Sequence, residues 1–247
     1  MIRVFEDRQA LAGAAAGLFA DLACSAVARS GLFSVLLAGG ETPRLTYQLL
    51  AGEPYCSTVP WNDIHFFWGD ERYVPSSDPR SNHFMVRRAL LDALPLPPEN
   101  IHPIVCNLSP QQAAVEYESE LRRFFGDQSP YFDLALLGLG DDGHTASLLP
   151  GSAALHEKLH WTAVSARSDE GFSRITLTVP IINQAAVVLF LVAGSGKAAV
   201  LGNILGDTII VPPYPAQLIK PDSGDLRWFV DRESAMKCSG LSFPEEP

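Results

Sequence analysis

Short apolar segments, each followed by glycine and polar residues, recur along this chain with helical patterns between them. The two clearest read FDLALL at residues 132–137 and AAVVLFLVA at residues 185–193, and similar segments lie at residues 34–38 and 61–68. Runs of this length are too short for core helices and are typical of parallel strands covered on both faces. Their alternation with helices predicts a doubly wound, mostly parallel α/β sheet with helices on both faces, in one Rossmann-like domain that spans residues 1–247.

Helical patterns fill much of the sequence between these strands. Alanine-rich or amphipathic segments predict helices at residues 7–29, 82–93, 109–125 and 198–205. Weaker strand patterns lie at residues 101–105, 161–166, 174–179, 218–220 and 226–230. Thr42 followed by Pro43 predicts another helix start, with Thr42 as the N-cap and Pro43 in the first helical position.

Composition and charge narrow the classes of function. The formal net charge is -10 and the pI is about 5.0, whereas a nucleic-acid-binding surface is basic. The N-terminal residues are charged from Arg3 onward and lack the apolar core of a signal peptide, and the run at residues 185–193 is too short to span a bilayer. We expect a cytoplasmic protein with neither nucleic acid nor a membrane as a partner. A monomer is expected, with an oligomer left open.

Four of the predicted strands end in loops that combine glycine with polar side chains. The loops read GGETP at residues 39–43, GDERYVP at residues 69–75, GLGDDGHTAS at residues 138–147 and GSGK at residues 194–197. The carboxyl ends of parallel strands share one edge of a sheet, and open α/β sheets bind their ligands at that edge. We therefore expect the four loops to converge on one pocket.

His144 is the candidate catalytic residue of this pocket. Its unperturbed pKa lies near neutrality, so the side chain can accept or donate a proton at the working pH. Neighbouring glycines, hydroxyl groups and the carboxylates of Asp141 and Asp142 favour a catalytic over a structural histidine. Lys197 and Arg72, each near the end of a predicted strand, are candidate phosphate ligands. The alternatives for these two are a solvated lysine and a salt-bridged surface arginine.

Three familiar motifs occur in unsuitable contexts. The G-x-G-x-x-G string at residues 138–143 lies past mid-chain and has no acid at the end of a second strand, so a dinucleotide site is not expected. Gly196-Lys197 resembles the end of a P-loop, but Ala198 replaces the hydroxyl that would hold magnesium. The H-E-x-x-H string at residues 156–160 precedes a strand-like segment, which leaves little room for the helix of a zinc site. We expect neither a cofactor nor a metal.

Taken together, six segments carry a resemblance to a known family. They are LAGGETP (37–43), WGDERYVP (68–75), SNHFM (81–85), LLGLGDDGHTASLLPG (136–151), TLTVPIIN (176–183) and AGSGKA (193–198). In this order they resemble the 6-phosphogluconolactonases, whose superfamily also holds glucosamine-6-phosphate deaminase. The resemblance covers most of the chain. It implies a carboxylic ester hydrolase of carbohydrate metabolism that needs no cofactor. The implied substrate is a sugar-phosphate lactone, 6-phosphoglucono-1,5-lactone, which is opened to 6-phosphogluconate in the pentose phosphate pathway.

The resemblance also implies roles for individual residues. His144 is the base that activates water, and Asp142 helps to orient the site. Arg72 and Lys197 bind the phosphate. The residues that line the same pocket are Gly39, Gly40 and Thr42.

Two departures from the family pattern stand out. Glu41 occupies a position where the family often has serine, and Leu149 one where it often has phenylalanine. A carboxylate at Glu41 disfavours a nearby phosphate, so we expect its side chain to point away from the pocket.

Two alternative functions stay open at the level of the sequence. A deaminase or isomerase of the same superfamily abstracts a carbon-bound proton and is expected to carry glutamate five residues beyond the histidine. This chain has Leu149 there, although Asp70 offers another carboxylate base. A sugar-phosphate sensor without turnover is the second alternative. It needs an output domain, for which the chain shows no spare length or basic helix.

Overall fold

The computed structural model describes residues 1–126, 131–206 and 210–238. In these ranges the strands are β1 (Ile2–Phe5), β2 (Phe33–Leu37), β3 (Ile64–Trp68), β4 (Asp70–Arg72), β5 (Ile101–His102), β6 (Leu134–Leu137), β7 (Thr162–Ala166), β8 (Ser173–Leu177), β9 (Val187–Val192) and β10 (Asp225–Asp231). The helices are α1 (Arg8–Ser30), α2 (Glu41–Leu50), α3 (Tyr55–Thr58), α4 (Asn82–Ala89), α5 (Pro110–Phe125), α6 (Val179–Ile182), α7 (Ala198–Leu205) and α8 (Arg232–Ala235).

Seven strands form the central sheet in the order β1-β10-β9-β6-β2-β3-β5. All neighbouring strands in this sheet run parallel; Leu37 at the end of β2, for example, lies opposite Trp68 at the end of β3. Every residue of β2, β6 and β9 is buried, as expected for strands covered on both faces. The predicted mostly parallel α/β sheet with flanking helices is confirmed.

A second sheet of three antiparallel strands, in the order β4-β8-β7, was not predicted. It places Asp70 opposite Thr176 and Arg72 opposite Arg174. Strand β4 reads Asp-Glu-Arg and therefore lacks the apolar residues by which a strand is recognised in a sequence. This small sheet brings charged side chains of β4 and β8 to the carboxyl edge of the central sheet.

Helix α1 is long and apolar enough, by length and composition, to cross a membrane, and 44% of its most apolar stretch is buried inside the protein. Seven of its residues are buried in a stripe with near-helical spacing: Leu11, Ala12, Ala15, Ala16, Phe19, Ala23 and Ala26. Asp7 caps its first turn by accepting a hydrogen bond from the Ala10 amide at 2.8 Å. The N-terminus of α1 therefore lies at a defined place at the carboxyl edge of the sheet, just after β1.

Several predicted element boundaries were wrong. Helix α2 begins at Glu41 with Gly40 as its N-cap, not at Pro43 with Thr42 as the cap. Residues 218–220 form no strand; Leu218 ends a short 3₁₀ helix, Pro215–Leu218. The helix predicted at residues 82–93 ends at Ala89, and a separate 3₁₀ turn follows it. Strand β1 was missed because its four residues, IRVF, carry only a brief apolar pattern.

Candidate active site

The four glycine-containing loops converge, as predicted, on one cleft at the carboxyl edge of the central sheet. The cleft has a volume of about 340 Å³. Six of the seven predicted site residues line it: Gly39, Gly40, Thr42, Arg72, His144 and Lys197. Asp142 does not. The further polar residues of the lining are Arg8, Glu41, Asp70, Asn82, Thr145 and Arg174. A polar cleft of this size at this edge fits a small charged ligand.

His144 and Asp142 form a hydrogen-bonded pair in the loop after β6. Nδ1 of His144 lies 2.5 Å from Oδ1 of Asp142. Because an ionised carboxylate only accepts hydrogen bonds, Nδ1 carries the proton, and the lone pair is left on Nε2. The side chain of His144 is 24% exposed, so its free nitrogen is open to the cleft that the residue lines. A neutral imidazole in this tautomer is equipped to act as a general base.

Asp142 also accepts a hydrogen bond from Arg167, whose Nη2 contacts Oδ2 of the carboxylate. Burial raises the pKa of the Asp142 carboxyl, but hydrogen bonds from His144 and the charges of His144 and Arg167 outweigh this effect. The pKa therefore lies below its ordinary value. Asp142 is thus ionised near neutral pH.

Gly140 makes room for the histidine ring. A Cβ atom at this position would lie 2.0 Å from Nδ1 of His144 and 2.8 Å from Oδ1 of Asp142. The Gly140 amide also donates to the carbonyl of His144 at 2.8 Å, which closes the loop on itself. Only glycine lets the backbone approach the histidine–aspartate pair this closely.

The predicted phosphate ligands enter the cleft from two sides. Lys197 follows β9 and pairs with Asp141 at 2.5 Å. Arg72 lies on β4, next to the end of β3, and its Nη1 donates to the carbonyl of Arg80 at 2.6 Å. Across residues 1–126, 131–206 and 210–238, no carboxylate forms an ion pair with the Arg72 guanidinium. Strands β6 and β2 separate β9 from β3, so a ligand between these two cations lies above the centre of the sheet.

Arg8 is a third cation at the same cleft, and the sequence reasoning missed it. It is the first residue of α1, and one of its terminal nitrogens lies 3.4 Å from the place a Cβ on Gly194 would occupy. Within the described part of the chain it has no hydrogen-bond or ion-pair partner. Its charge is therefore available to an anion in the cleft.

The N-terminus of α2 faces the same space. Gly40, the N-cap residue, provides no side-chain hydrogen bond, so the first amides of the helix lack a capping side chain. Such amides, with the helix dipole, attract anions. The Glu41 side chain is 59% exposed and pairs with Arg44 on the same helix. The hydrogen bond from Arg44 lowers the pKa of Glu41 despite some burial, and the pairing compensates its negative charge.

The GSGK loop after β9 does not offer its first two amides to a ligand. The Gly194 amide donates to both carboxylate oxygens of Asp231, at 3.0 and 2.9 Å, and the Ser195 amide donates to Glu233 at 3.2 Å. The two acids lie at the end of β10 and the start of α8. Lys197 therefore contributes to the cleft through its side chain, whereas the resemblance of this loop to a phosphate-cradling loop is superficial.

A buried carboxylate, Glu71, positions the wall opposite Lys197. Its two oxygens accept hydrogen bonds from the amides of Arg72, Asn82 and His83 and from the hydroxyl of Ser81, at 2.7 to 2.9 Å. Burial raises the pKa of the Glu71 carboxyl, and these four donors act in the opposite direction. Glu71 thereby ties β4 to the first turn of α4.

Asn82, at the start of α4, reaches the floor of the cleft. Its Nδ2 donates to the backbone carbonyl of Asp70 at 2.9 Å and to the Asp70 carboxylate at 3.2 Å. The Asp70 carboxylate also accepts from the Ser147 hydroxyl at 2.5 Å and lies 4.0 Å from Nη1 of Arg174. A Cβ on Gly39 would lie 1.9 Å from the Asn82 side chain, so glycine is needed there for this packing.

The H-E-x-x-H segment lacks the helix that its zinc-binding form requires. The short 3₁₀ helix Ala153–His156 ends at His156, and Glu157 accepts the backbone amides of the next three residues. Among the residues that the structure describes, no group of three or more His, Cys, Asp or Glu side chains is arranged to hold a metal ion.

Fold and site together define an α/β protein with a histidine–aspartate pair beside a cationic cleft. The family model for glucosamine-6-phosphate isomerases/6-phosphogluconolactonase matches residues 6–228. A 6-phosphogluconolactonase of Synechocystis sp. is 43% identical over 213 residues, which are 85% of this chain and 86% of that relative. The chain belongs to the glucosamine-6-phosphate isomerase/6-phosphogluconolactonase family.

Solved structures agree with this assignment. The 6-phosphogluconolactonase from Trypanosoma brucei superimposes with a TM-score of 0.86 at 30% identity, over 96% of this chain and 97% of that one. A monomeric glucosamine-6-phosphate deaminase superimposes with a TM-score of 0.79 at 22% identity, over 96% of this chain and 99% of that one. The second likeness concerns the fold alone.

Proposed function

We propose that this protein hydrolyses 6-phosphoglucono-1,5-lactone to 6-phosphogluconate, in the oxidative branch of the pentose phosphate pathway. The observation that carries the proposal is the His144–Asp142 pair, which leaves Nε2 of a neutral imidazole beside a cationic cleft. Among the described residues, the cleft cations Arg8, Arg72 and Lys197 form no ion pair with a buried carboxylate. The 43% identity to a 6-phosphogluconolactonase supports the same reaction.

His144 carries the proton transfers. As a water oxygen attacks the lactone carbonyl, Nε2 of His144 accepts a proton from that water, and the carbonyl becomes an oxyanion. Backbone amides of the loops after β2 and β6 that line the cleft stabilise this charge, whereas those of Gly140, Gly143 and Gly194 are already donated within the protein. When the oxyanion collapses, the bond from the carbonyl carbon to the ring oxygen breaks, and the imidazolium returns its proton to the departing oxygen. The product is an open-chain acid, which ionises in water.

The phosphate binds at the N-terminus of α2, between Lys197 on one side and Arg72 on the other. Gly39, Gly40 and Thr42 line this part of the cleft, and Arg8 adds a cation next to Lys197. Three cations and uncapped helix amides match the dianionic phosphate. Holding the phosphate fixes the distance from the lactone carbon to His144, so binding energy is converted into correct positioning.

The deaminase alternative receives less support from the site. Leu149, five residues beyond His144, is 3% exposed and offers no carboxylate. Asp70, the remaining candidate base, is engaged by Ser147 and Asn82. Lactone hydrolysis needs a single base for water, and His144 supplies it.

Opening of freshly prepared 6-phosphogluconolactone, followed by acid release and corrected for the spontaneous rate, tests the activity. The wild-type protein is expected to accelerate it, and His144→Ala is not. His160→Ala is the matched control, because that histidine side chain is 68% exposed and lies outside the cleft. Ammonia release from glucosamine-6-phosphate without lactone opening would instead assign the deaminase reaction.

Three properties of the working protein are proposed with the activity. We propose that residues 1–247 act as one domain, although residues 127–130, 207–209 and 239–247 lie outside the described part. We further propose that the protein is a cytoplasmic monomer whose partner is the sugar-phosphate lactone, without nucleic acid or membrane. Size-exclusion chromatography with light scattering and cell fractionation test the last two properties.

A further inference from the structure

One carboxylate joins Arg167 to the candidate base. Oδ2 of Asp142 accepts from Nη2 of Arg167, and Oδ1 of the same group accepts from Nδ1 of His144 at 2.5 Å. Arg167 directly follows β7, in the turn that leads to β8. The three side chains form a continuous hydrogen-bonded row that ends in the cleft. We propose that Arg167 is a positioning residue of the hydrolytic site, which sets the orientation and the basicity of His144 through Asp142; this inference rests on the proposed lactonase function.

The orientation follows from the geometry of the two hydrogen bonds. Asp142 lies in the loop after β6, and its side chain is 36% exposed. Oδ1 also accepts the backbone amide of His144 at 3.2 Å, so without Arg167 one oxygen would keep both contacts to His144, and Oδ2 would be left to water. With Arg167 on the other oxygen, the carboxylate is held at both ends, and the imidazole ring is held with it.

The basicity follows from charge. A full carboxylate beside His144 stabilises the imidazolium and so weakens the neutral form that the reaction needs. The guanidinium of Arg167 withdraws part of that stabilisation and also repels a protonated ring. Arg167 therefore keeps His144 neutral to a lower pH than Asp142 alone would allow.

Other charged groups near the pair are already engaged. Glu170, on the same turn as Arg167, accepts two hydrogen bonds from Arg174 on β8, at 2.8 and 2.7 Å. Asp141, the neighbour of Asp142, pairs with Lys197 after β9. Two acids line the cleft itself: Asp70 is held by Ser147 and Asn82, and Glu41 pairs with Arg44. Arg167 is thus the cation in direct contact with Asp142. The other charged groups lie further away and act on the neutral and the protonated imidazole of His144 only at a distance.

A direct test is the NMR titration of the His144 imidazole in the wild type, Arg167→Gln and Arg167→Lys. Because the Arg167 side chain is 29% exposed, its charge is partly screened. We expect the midpoint for His144 in Arg167→Gln to rise by roughly 0.5 to 1 pH unit, as for a charge two hydrogen bonds away at intermediate dielectric. Arg167→Lys keeps the charge and should restore most of the wild-type midpoint. This readout does not depend on which substrate the protein turns over.

The kinetic counterpart is the pH profile of kcat/KM for lactone opening. Its acidic limb should move upward with the NMR midpoint in Arg167→Gln, and kcat on the plateau should fall several-fold with little change in KM. Arg87→Gln, which removes an exposed arginine paired with Asp92 outside the cleft, should leave both unchanged. An unchanged His144 midpoint together with an unchanged profile would overturn the role of Arg167. A wild type that opens no lactone would overturn the proposed function instead. The NMR titration would still show whether Arg167 acts on His144.

Discussion

The imidazole of His144 lies against the backbone of Gly140, where a Cβ atom would come within 2.0 Å of Nδ1. The position of the candidate base therefore requires glycine at residue 140. Substituting this one residue separates the geometry of the site from its chemical groups, all of which would remain.

Gly140→Ala should lower kcat by roughly tenfold to a hundredfold, because a displacement of about 1 Å is costly in a positioned proton transfer. The added methyl should also lower the free energy of unfolding by about 1–3 kcal/mol, the usual cost of overpacking. Steady-state kinetics and urea unfolding measure the two effects. Gly13→Ala is the control, because a Cβ there meets no atom within 4 Å in helix α1. A fully active Gly140→Ala would show that the ring does not need its present position.

Asp142→Asn should lower kcat by about 10²–10⁴-fold, because an amide neither fixes the His144 tautomer nor stabilises an imidazolium; the upper figure is known from a hydrolytic triad. KM should change little, since Asp142 does not line the cleft. Equal losses in kcat and in affinity for the stable product 6-phosphogluconate would contradict this division of roles.

The stability contributed by Asp142 should depend on pH. The pKa of its carboxyl lies below the ordinary value in the folded chain, although burial alone would raise it. Its contribution is therefore full above the ordinary carboxyl pKa of about 3.9 and is lost as the pH falls through the lower folded value. The difference in Tm between the wild type and Asp142→Asn should be largest near neutrality and shrink below about pH 4. A difference that stays constant from pH 7 to pH 3 is incompatible with the ion pair described.

Lys197→Met and Arg8→Gln should each raise KM for 6-phosphogluconolactone by about 10–100-fold, the usual value of one charged hydrogen bond. Neither variant should affect unphosphorylated gluconolactone, because the phosphate is the group these cations bind. Lys220→Met, which removes an exposed lysine elsewhere, is the control for net charge. Equal changes with both lactones would remove these residues from the phosphate site.

Glu71→Gln tests the support of the opposite wall. Glu71 accepts four hydrogen bonds with two oxygens, whereas glutamine turns two donors toward the same neighbours. The loss should be about 1–3 kcal/mol in the free energy of unfolding, as for a buried polar group left unpaired. Denaturant unfolding measures it, with the exposed Glu99→Gln as the control. A neutral effect would show that the contacts of Glu71 are not needed to order α4.

The loops of the cleft could be predicted because each has a local signal. A continuous apolar segment followed by glycine marks the end of a buried parallel strand, and the shared edge of a parallel sheet brings four such ends together. His144, Arg72 and Lys197 lie in these loops, so the same argument located them. Asn82 lies in SNHFM (81–85), one of the segments that carry the family resemblance, so the sequence also pointed to it. Its contact with Asp70 depends on the tertiary fold.

The residues that were missed reach the site through long-range packing. Arg8 comes from the start of α1, and Arg167 and Arg174 come from an antiparallel hairpin whose partner strand, β4, has no apolar residue. Each looks like an ordinary surface arginine in the sequence. The N-cap of α2 was assigned to Thr42 because threonine before proline is a strong local pattern, but Gly40, with φ of 104°, starts the helix two residues earlier.

The central claim is that His144 is the base and not a binding residue, and a paired measurement on His144→Ala tests it most directly. Lactone opening gives the rate, and calorimetric titration with the stable product 6-phosphogluconate gives the affinity. We predict that the enzymatic rate falls by roughly 10²–10⁴-fold, the usual contribution of general base catalysis, while the affinity stays within about threefold of the wild type. Undiminished turnover in His144→Ala, with His160→Ala as reference, would contradict the account.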